Sequence, residues 1–275
     1  MGADAKIHVF DYVRYRDEVV PGLTELMRSG VAVPWLAEIL QVESEYGDTW
    51  RQLMAELREW PTGLARYCTW LGADLRYAGD RSIDRLTGRQ MTCNVLDCPE
   101  RERCRFFQDQ DPQGVEALTA LHEAAVATRC LGWSQFLGRT ITPDYYRPVL
   151  EHQHVPVTAP VRGLLEALAT RGAVWGYRFG RTEGIHGWLT VPETAELVTV
   201  LNELDLPRYE PTFAAMQAFD AEARSAGSDW HLVSLSFVRT VATIAAASER
   251  GVLWGNDVST SLWTEFWDVP SGGRP

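Results

Sequence analysis

The run 232-LVSLSFVRTVATIAAAS-248 is the longest apolar stretch in the chain, and it narrows the folds open to it. Arg239 and several hydroxyls leave it too short and too polar to cross a bilayer. It reads instead as part of a helix over 231–251. The residues just beyond, 252-VLWGN-256, read as a short strand. A strand of that length cannot stand alone and needs a neighbour. The segment 173-AVWGYRFGRTEGIHGWLT-190, with Gly176, Gly180, Gly184 and Gly187, reads as strand and loop, and is the expected partner. The 231–250 helix is expected to pack across the pair.

Two further helices are expected at 191–204 and 211–227. Thr190 and Glu193 have the spacing of a capping box at the start of the first. Over residues 184–257, the order GIHGWLT, helix, helix, long helix, ERGVLWGND resembles the end of the YfbM-like family of bacterial α/β domains. Those domains carry a similar helix start and finish on a helix followed by a short apolar strand. The resemblance implies a fold for about a quarter of the chain. The family's function is not established, so the resemblance implies no catalytic residue.

The first half reads as helices. In 11–29, Val19, Val20, Leu23 and Leu26 recur at helical spacing, and Pro21 marks a helix start or kink. Helices are also expected at 34–46, 50–60, 61–79 and 114–132, two of them opened by proline. Another is expected at 161–172, after a linker or edge strand at 155–160.

Net charge is −11, which disfavours nucleic acid and anionic lipid as partners. Lys6 is the only lysine, so no other position offers a Schiff-base amine or the lysine of a phosphate-binding loop. The opening MGADAKIHVFDYVRYRDE lacks the apolar centre of a secretion signal. A cytoplasmic location with reduced thiols and no membrane partner is expected.

The densest chemistry lies in 91-MTCNVLDCPERERCRFF-107, where Cys93, Cys98 and Cys104 fall within twelve positions. Zinc takes four thiolate or imidazole ligands, and Cys68 on an upstream helix is the expected fourth. Arg101, Arg103 and Arg105 would favour thiolates. The Cys98-Pro99 pair also matches the ending of some iron–sulfur motifs, so a cluster is the alternative cofactor. Reduced thiols without metal remain open, because no C-x2-C pair exists. Cys130 completes the five, and His122 reads as a helix-surface histidine or an alternative fourth ligand. His152 and His154 alternate and would share a face on a strand.

A ligand, if one binds, is expected near Arg178, Arg181, His186 and Trp188, at the junction of the two halves. The arginines could grip a carboxylate or phosphate, and Trp188 could supply a flat wall. Plain pairing of those arginines with surface acids is the competing reading. Trp263 and Trp267, four apart near the C-terminal end, read as a docking segment.

The expected fold is therefore α+β and mostly helical. Residues 1–154 would form a helical part with the cysteine-rich loop, and 155–275 helices around a small sheet. Two function classes follow. One is a metal-binding protein of structural or regulatory type that binds a small molecule or protein partner. The other is an enzyme of bacterial specialised metabolism with an aromatic, arginine-lined pocket.

Overall fold

The structure, a computed structural model, describes residues 3–29, 31–41, 112–171 and 184–258. In chain order the elements begin with strand β1 (Asp4–Phe10). Helical pieces Tyr12–Arg14, Tyr15–Val19 and Val20–Ser29 then run on as α1. Helices α2 (Pro34–Gln41) and α3 (Pro112–Arg129) follow, and then β2 (Leu131–Arg139). A 3-10 turn at Pro143–Tyr146 leads into α4 (Arg147–His152) and α5 (Pro160–Thr170). The last elements are β3 (Gly184–Leu189), α6 (Val191–Asn202), α7 (Phe213–Ala226), α8 (Trp230–Ala247) and β4 (Gly251–Asn256). The described part is thus α+β and mostly helical, with a four-stranded sheet.

Two compact units divide the chain. The first holds Met1–Tyr12, Leu131–Gly172 and Gly180–Val258; the second holds Val13–Cys130, Ala173–Phe179 and Ser259–Pro275.

The first unit is built on the sheet, whose strand order is β2-β1-β4-β3, antiparallel throughout. Strand β3 pairs with β4, as the glycine spacing suggested, and α8 packs across β1, β2 and β4. Strands β1 and β2, from before residue 131 and just after it, were not foreseen. In β1 the apolar positions Ala5, Ile7 and Val9 alternate with Lys6 and His8, giving a period of two over only seven residues. In β2, Gly132 and Gly138 interrupt the apolar pattern. The sheet therefore draws strands from both sides of the boundary expected at residue 154.

Ala5, Ile7, Leu137, Leu189, Val252 and Trp254 share one core with α5, α6 and α8. Each large apolar side chain sealed there contributes about 1.5–3 kcal/mol. Trp254 is fully buried, and its indole N–H donates to Asn256 Oδ1 at 3.1 Å. Helix α8 opens on Asp229, whose carboxylate accepts from His231 N at 2.9 Å. By length and composition it is the one described helix apolar enough to cross a membrane; here it is the core helix of the sheet.

Glycine sets how closely α5 lies on the sheet. A Cβ at Gly187 would sit 2.1 Å from Ala167 O and 2.7 Å from Leu168 O. Only a residue without a side chain lets the two backbones meet there. The capping box at Thr190–Glu193 forms, with Thr190 N donating to Glu193 Oε2 at 2.8 Å. Arg171, just past α5, donates to both Glu193 oxygens at 2.7 and 2.9 Å and to Trp188 O at 3.2 Å. Burial pushes the Glu193 carboxyl up, but hydrogen bonds from Arg171 and Thr190 and the guanidinium charge hold it below its usual range.

Residues 155–159 form the linker, with turns, and Pro160 opens α5, so the edge-strand alternative does not form: Val155 N donates to Leu150 O, and Ala159 N to Pro156 O. Pro156 and Pro160 lack the N–H a ladder needs. His152 ends α4 and His154 sits in a turn at φ 54°, both exposed, so the shared strand face expected for them does not form.

In the second unit, α1 passes through a π-helical turn, where Val20 N–H reaches back to Tyr15 O. Pro21, which has no N–H, follows at once, placing the irregularity where the sequence put a kink. Arg129 at the end of α3 donates to Glu18 at 2.6 Å, and Arg14 donates to Arg129 O at 3.1 Å. The expected helices over 50–60 and 61–79 and the cysteine-rich segment lie outside the described residues.

Candidate functional site

Three polar constellations are built into the described residues. The first is on the sheet face opposite the helix layer. Pairing sets Ser134, His8, Leu253 and Trp188 in one row across β2, β1, β4 and β3. His8 is fully buried, and among the described residues neither ring nitrogen has a hydrogen-bond partner. Burial, with a smaller contribution from the Lys6 charge, lowers its pKa to about 3, so the imidazole is neutral. The Val258 backbone pulls weakly the other way, from outside hydrogen-bond geometry.

His186 and Trp188 lie two apart on β3, at 2% and 3% exposure, and a bulge separates Ile185 from Gly187. The Trp188 ring lies 6.3 Å from that of Phe10. Trp188 thus has an aromatic neighbour on β1. Of the four expected ligand-binding residues, the structure brings these two together; Arg178 and Arg181 lie outside the described residues.

The second constellation runs along α8. Ser236, Arg239, Thr240 and Thr243 recur at i, i+3, i+4 and i+7, so they share one side of the helix. The connection after α6 lies against this side. Tyr209 OH meets Ser236 Oγ at 3.3 Å and Thr240 Oγ1 at 3.0 Å, and Arg239 Nη2 donates to Pro207 O. The Gln153 side chain bonds both backbone groups of Asp205, at 3.1 and 2.9 Å. Phe219 stacks on the Tyr209 ring at 4.7 Å. Burial raises the Tyr209 pKa, although bonds to Ser236 and Thr240 and the Arg239 charge oppose it.

No protein-family model, curated protein or solved structure matches the chain.

The third constellation is in the second unit. His122 on α3 is 2% exposed, and its Nε2 lies 3.3 Å from Tyr15 OH on the π-helical turn. Burial lowers its pKa to about 4. It is therefore not the surface histidine that its helical setting suggested; α3 turns this position inward, towards Tyr15. Cys130, just past the end of α3, is buried.

Cys68, Cys93, Cys98 and Cys104 lie outside the described residues. Among the described residues, no group of three His, Cys, Asp or Glu comes together as a metal site. Sequence reasoning missed His8 and the α8 side as sites. The signal for the second was visible: a charge and three hydroxyls at helical spacing inside the most apolar run of the chain.

Proposed function

We propose that this is a metal-binding protein of structural or regulatory type that binds a partner or small molecule. Zinc is held by Cys93, Cys98 and Cys104, with Cys68 as the fourth ligand. The observation that carries the reading is the density of thiols: three within twelve positions, interleaved with Arg101, Arg103 and Arg105. Thiolate character rises beside guanidinium groups, and four thiolates satisfy tetrahedral zinc. A metal held by that segment would order it, because binding energy there becomes folding energy.

The test is metal content of the purified full chain under reducing conditions, read with its visible spectrum. About one zinc per chain is expected, falling by at least about fivefold in Cys98→Ser and Cys104→Ser variants. A brown protein carrying iron would replace zinc with an iron–sulfur cluster. A colourless protein holding neither metal overturns the proposal.

A second reading, an enzyme with an arginine-lined aromatic pocket, is favoured by one observation. His186 and Trp188 lie two apart on β3, directly after the glycine-rich segment that carries Arg178 and Arg181, so the four expected residues belong to one short stretch of chain. Arg178→Ala and Arg181→Ala variants with unchanged ligand binding would remove it.

A further inference from the structure

Arg239 is 7% exposed, yet no carboxylate among the described residues lies within ion-pair distance of it. A guanidinium has five N–H donors, and the hydrogen bond found here is the one to Pro207 O. The chain carries 37 acidic residues against 26 lysines and arginines, so a partner was easy to supply. Burying a charge without an opposite one is costly, and arginines are almost never buried that way.

Arg208, on the same connection, adds a second guanidinium nearby. Its one hydrogen bond is to Asn202 O at 3.4 Å, and it too has no carboxylate partner among the described residues. Asp220, whose charge acts on Tyr209, is already paired with Arg224 at 2.8 Å. Burial lowers the Arg239 pKa, Tyr209 opposes it, and the Arg208 charge adds a smaller lowering. The like charges thus feel one another and lack a counter-ion.

The remaining N–H groups of Arg239 keep a trace of solvent exposure and are not fully sealed. The surroundings are held in place. Gln153 pins Asp205, Tyr209 is tied to Ser236 and Thr240, and Phe219 stacks on the Tyr209 ring. One planar donor fork on α8, held to Pro207 O, and another on the next residue of the connection, Arg208, suit an oxyanion with two charges, which each fork can meet with paired N–H···O bonds.

We propose that Arg239 and Arg208 form a binding site for a small doubly charged oxyanion of the phosphate class. The site is independent of the metal reading. Tyr209 is a positioning residue: its hydroxyl holds the connection, and the two guanidiniums carry the charge recognition.

The experiment is thermal unfolding of the full chain in inorganic phosphate, sulfate, succinate and chloride at matched ionic strength. Phosphate is expected to raise Tm in a saturable way, by about 4 °C near about 20 mM, with chloride giving no such rise. Arg208→Gln changes an exposed residue and should fold; it is expected to weaken the response by about tenfold in concentration. Arg239→Met should abolish the response. A matching rise with succinate alone would assign the site to dicarboxylates and overturn the phosphate class. No dianion effect beyond chloride, or an equal phosphate effect in Arg208→Gln and wild type, overturns the site itself.

Discussion

Arg171 and Arg239 lie in the same unit, and each ends up shielded from water, but the fold treats them in opposite ways. Arg171 meets Glu193 with two parallel bonds and also reaches Trp188 O. That one side chain joins the end of α5 to β3 and to the start of α6. Arg239 has a carbonyl and no carboxylate among the described residues. Its structural contribution is a single bond to a connection that Gln153 and Tyr209 already hold. The first arginine is a joint. The second is a charge stationed at the surface of a joint already made by others. His8 shows a third outcome for a buried base: it gives up its charge.

The largest effect should come from the close approach beneath the first arginine. Gly187→Ala would place a methyl group 2.1 Å from Ala167 O, so α5 must move off β3 and Arg171 must move with it. A loss of at least about 3 kcal/mol is expected, read as the urea midpoint. A shift under about 1 kcal/mol would show that α5 slides without taking the Arg171–Glu193 bonds apart.

Acid sharpens the contrast with His8. Its folded pKa, about 3, lies below the ordinary 6.5, so the unfolded chain binds more protons as pH falls. The stability from its neutral burial is fully present above about pH 6.5 and lost below it, by about 1.4 kcal/mol per pH unit. Glu193 has the same sign at lower pH: its contribution is present above the ordinary carboxylate value and lost as pH falls through its depressed one. Urea midpoints at about pH 7, 6 and 5 should therefore drop in wild type and drop less in His8→Phe. Equal slopes in the two proteins would break the assignment to His8.

The smallest effect separates the two arginines directly. Arg171→Met strands Glu193 half-buried and should cost about 2–3 kcal/mol. Arg239→Met replaces an uncompensated charge with an apolar chain and should cost less than about 1 kcal/mol, or stabilise slightly. Equal losses in the two variants would mean that the Pro207 bond matters more than the missing carboxylate implies.

Legibility in the sequence followed the range of the interactions. The capping box at Thr190 and the long helix at 230–247 are local, and periodicity or a spacing of three exposed them. Strand β4 was readable because five apolar and small residues follow a helix end directly. Strand β1 was not, because its partners lie about 130 and 250 residues away and its own pattern includes Lys6 and His8. At the sites, Arg239 announced itself as a charge in an apolar run, but its cover could not be read. The connection after α6 is irregular, and nothing in its residues says which helix side it will meet. The reverse held for Trp188. Its flat ring reads from the sequence as a wall for a ligand, whereas strand pairing buries it beside Phe10.

The strand order carries a consequence for how the protein is made. β1 is flanked by β2 and β4, so both of its edges wait for residues synthesised later. At ribosomal speeds of about 5–20 residues per second, β1 leaves the tunnel about 12–50 seconds ahead of β4. β2 can cover one edge about halfway through, but until β4 emerges the backbone on at least one side of β1 is an open template for any passing strand. Translation rate and chaperone supply should therefore govern the yield of soluble protein more strongly than the stability of the finished sheet does.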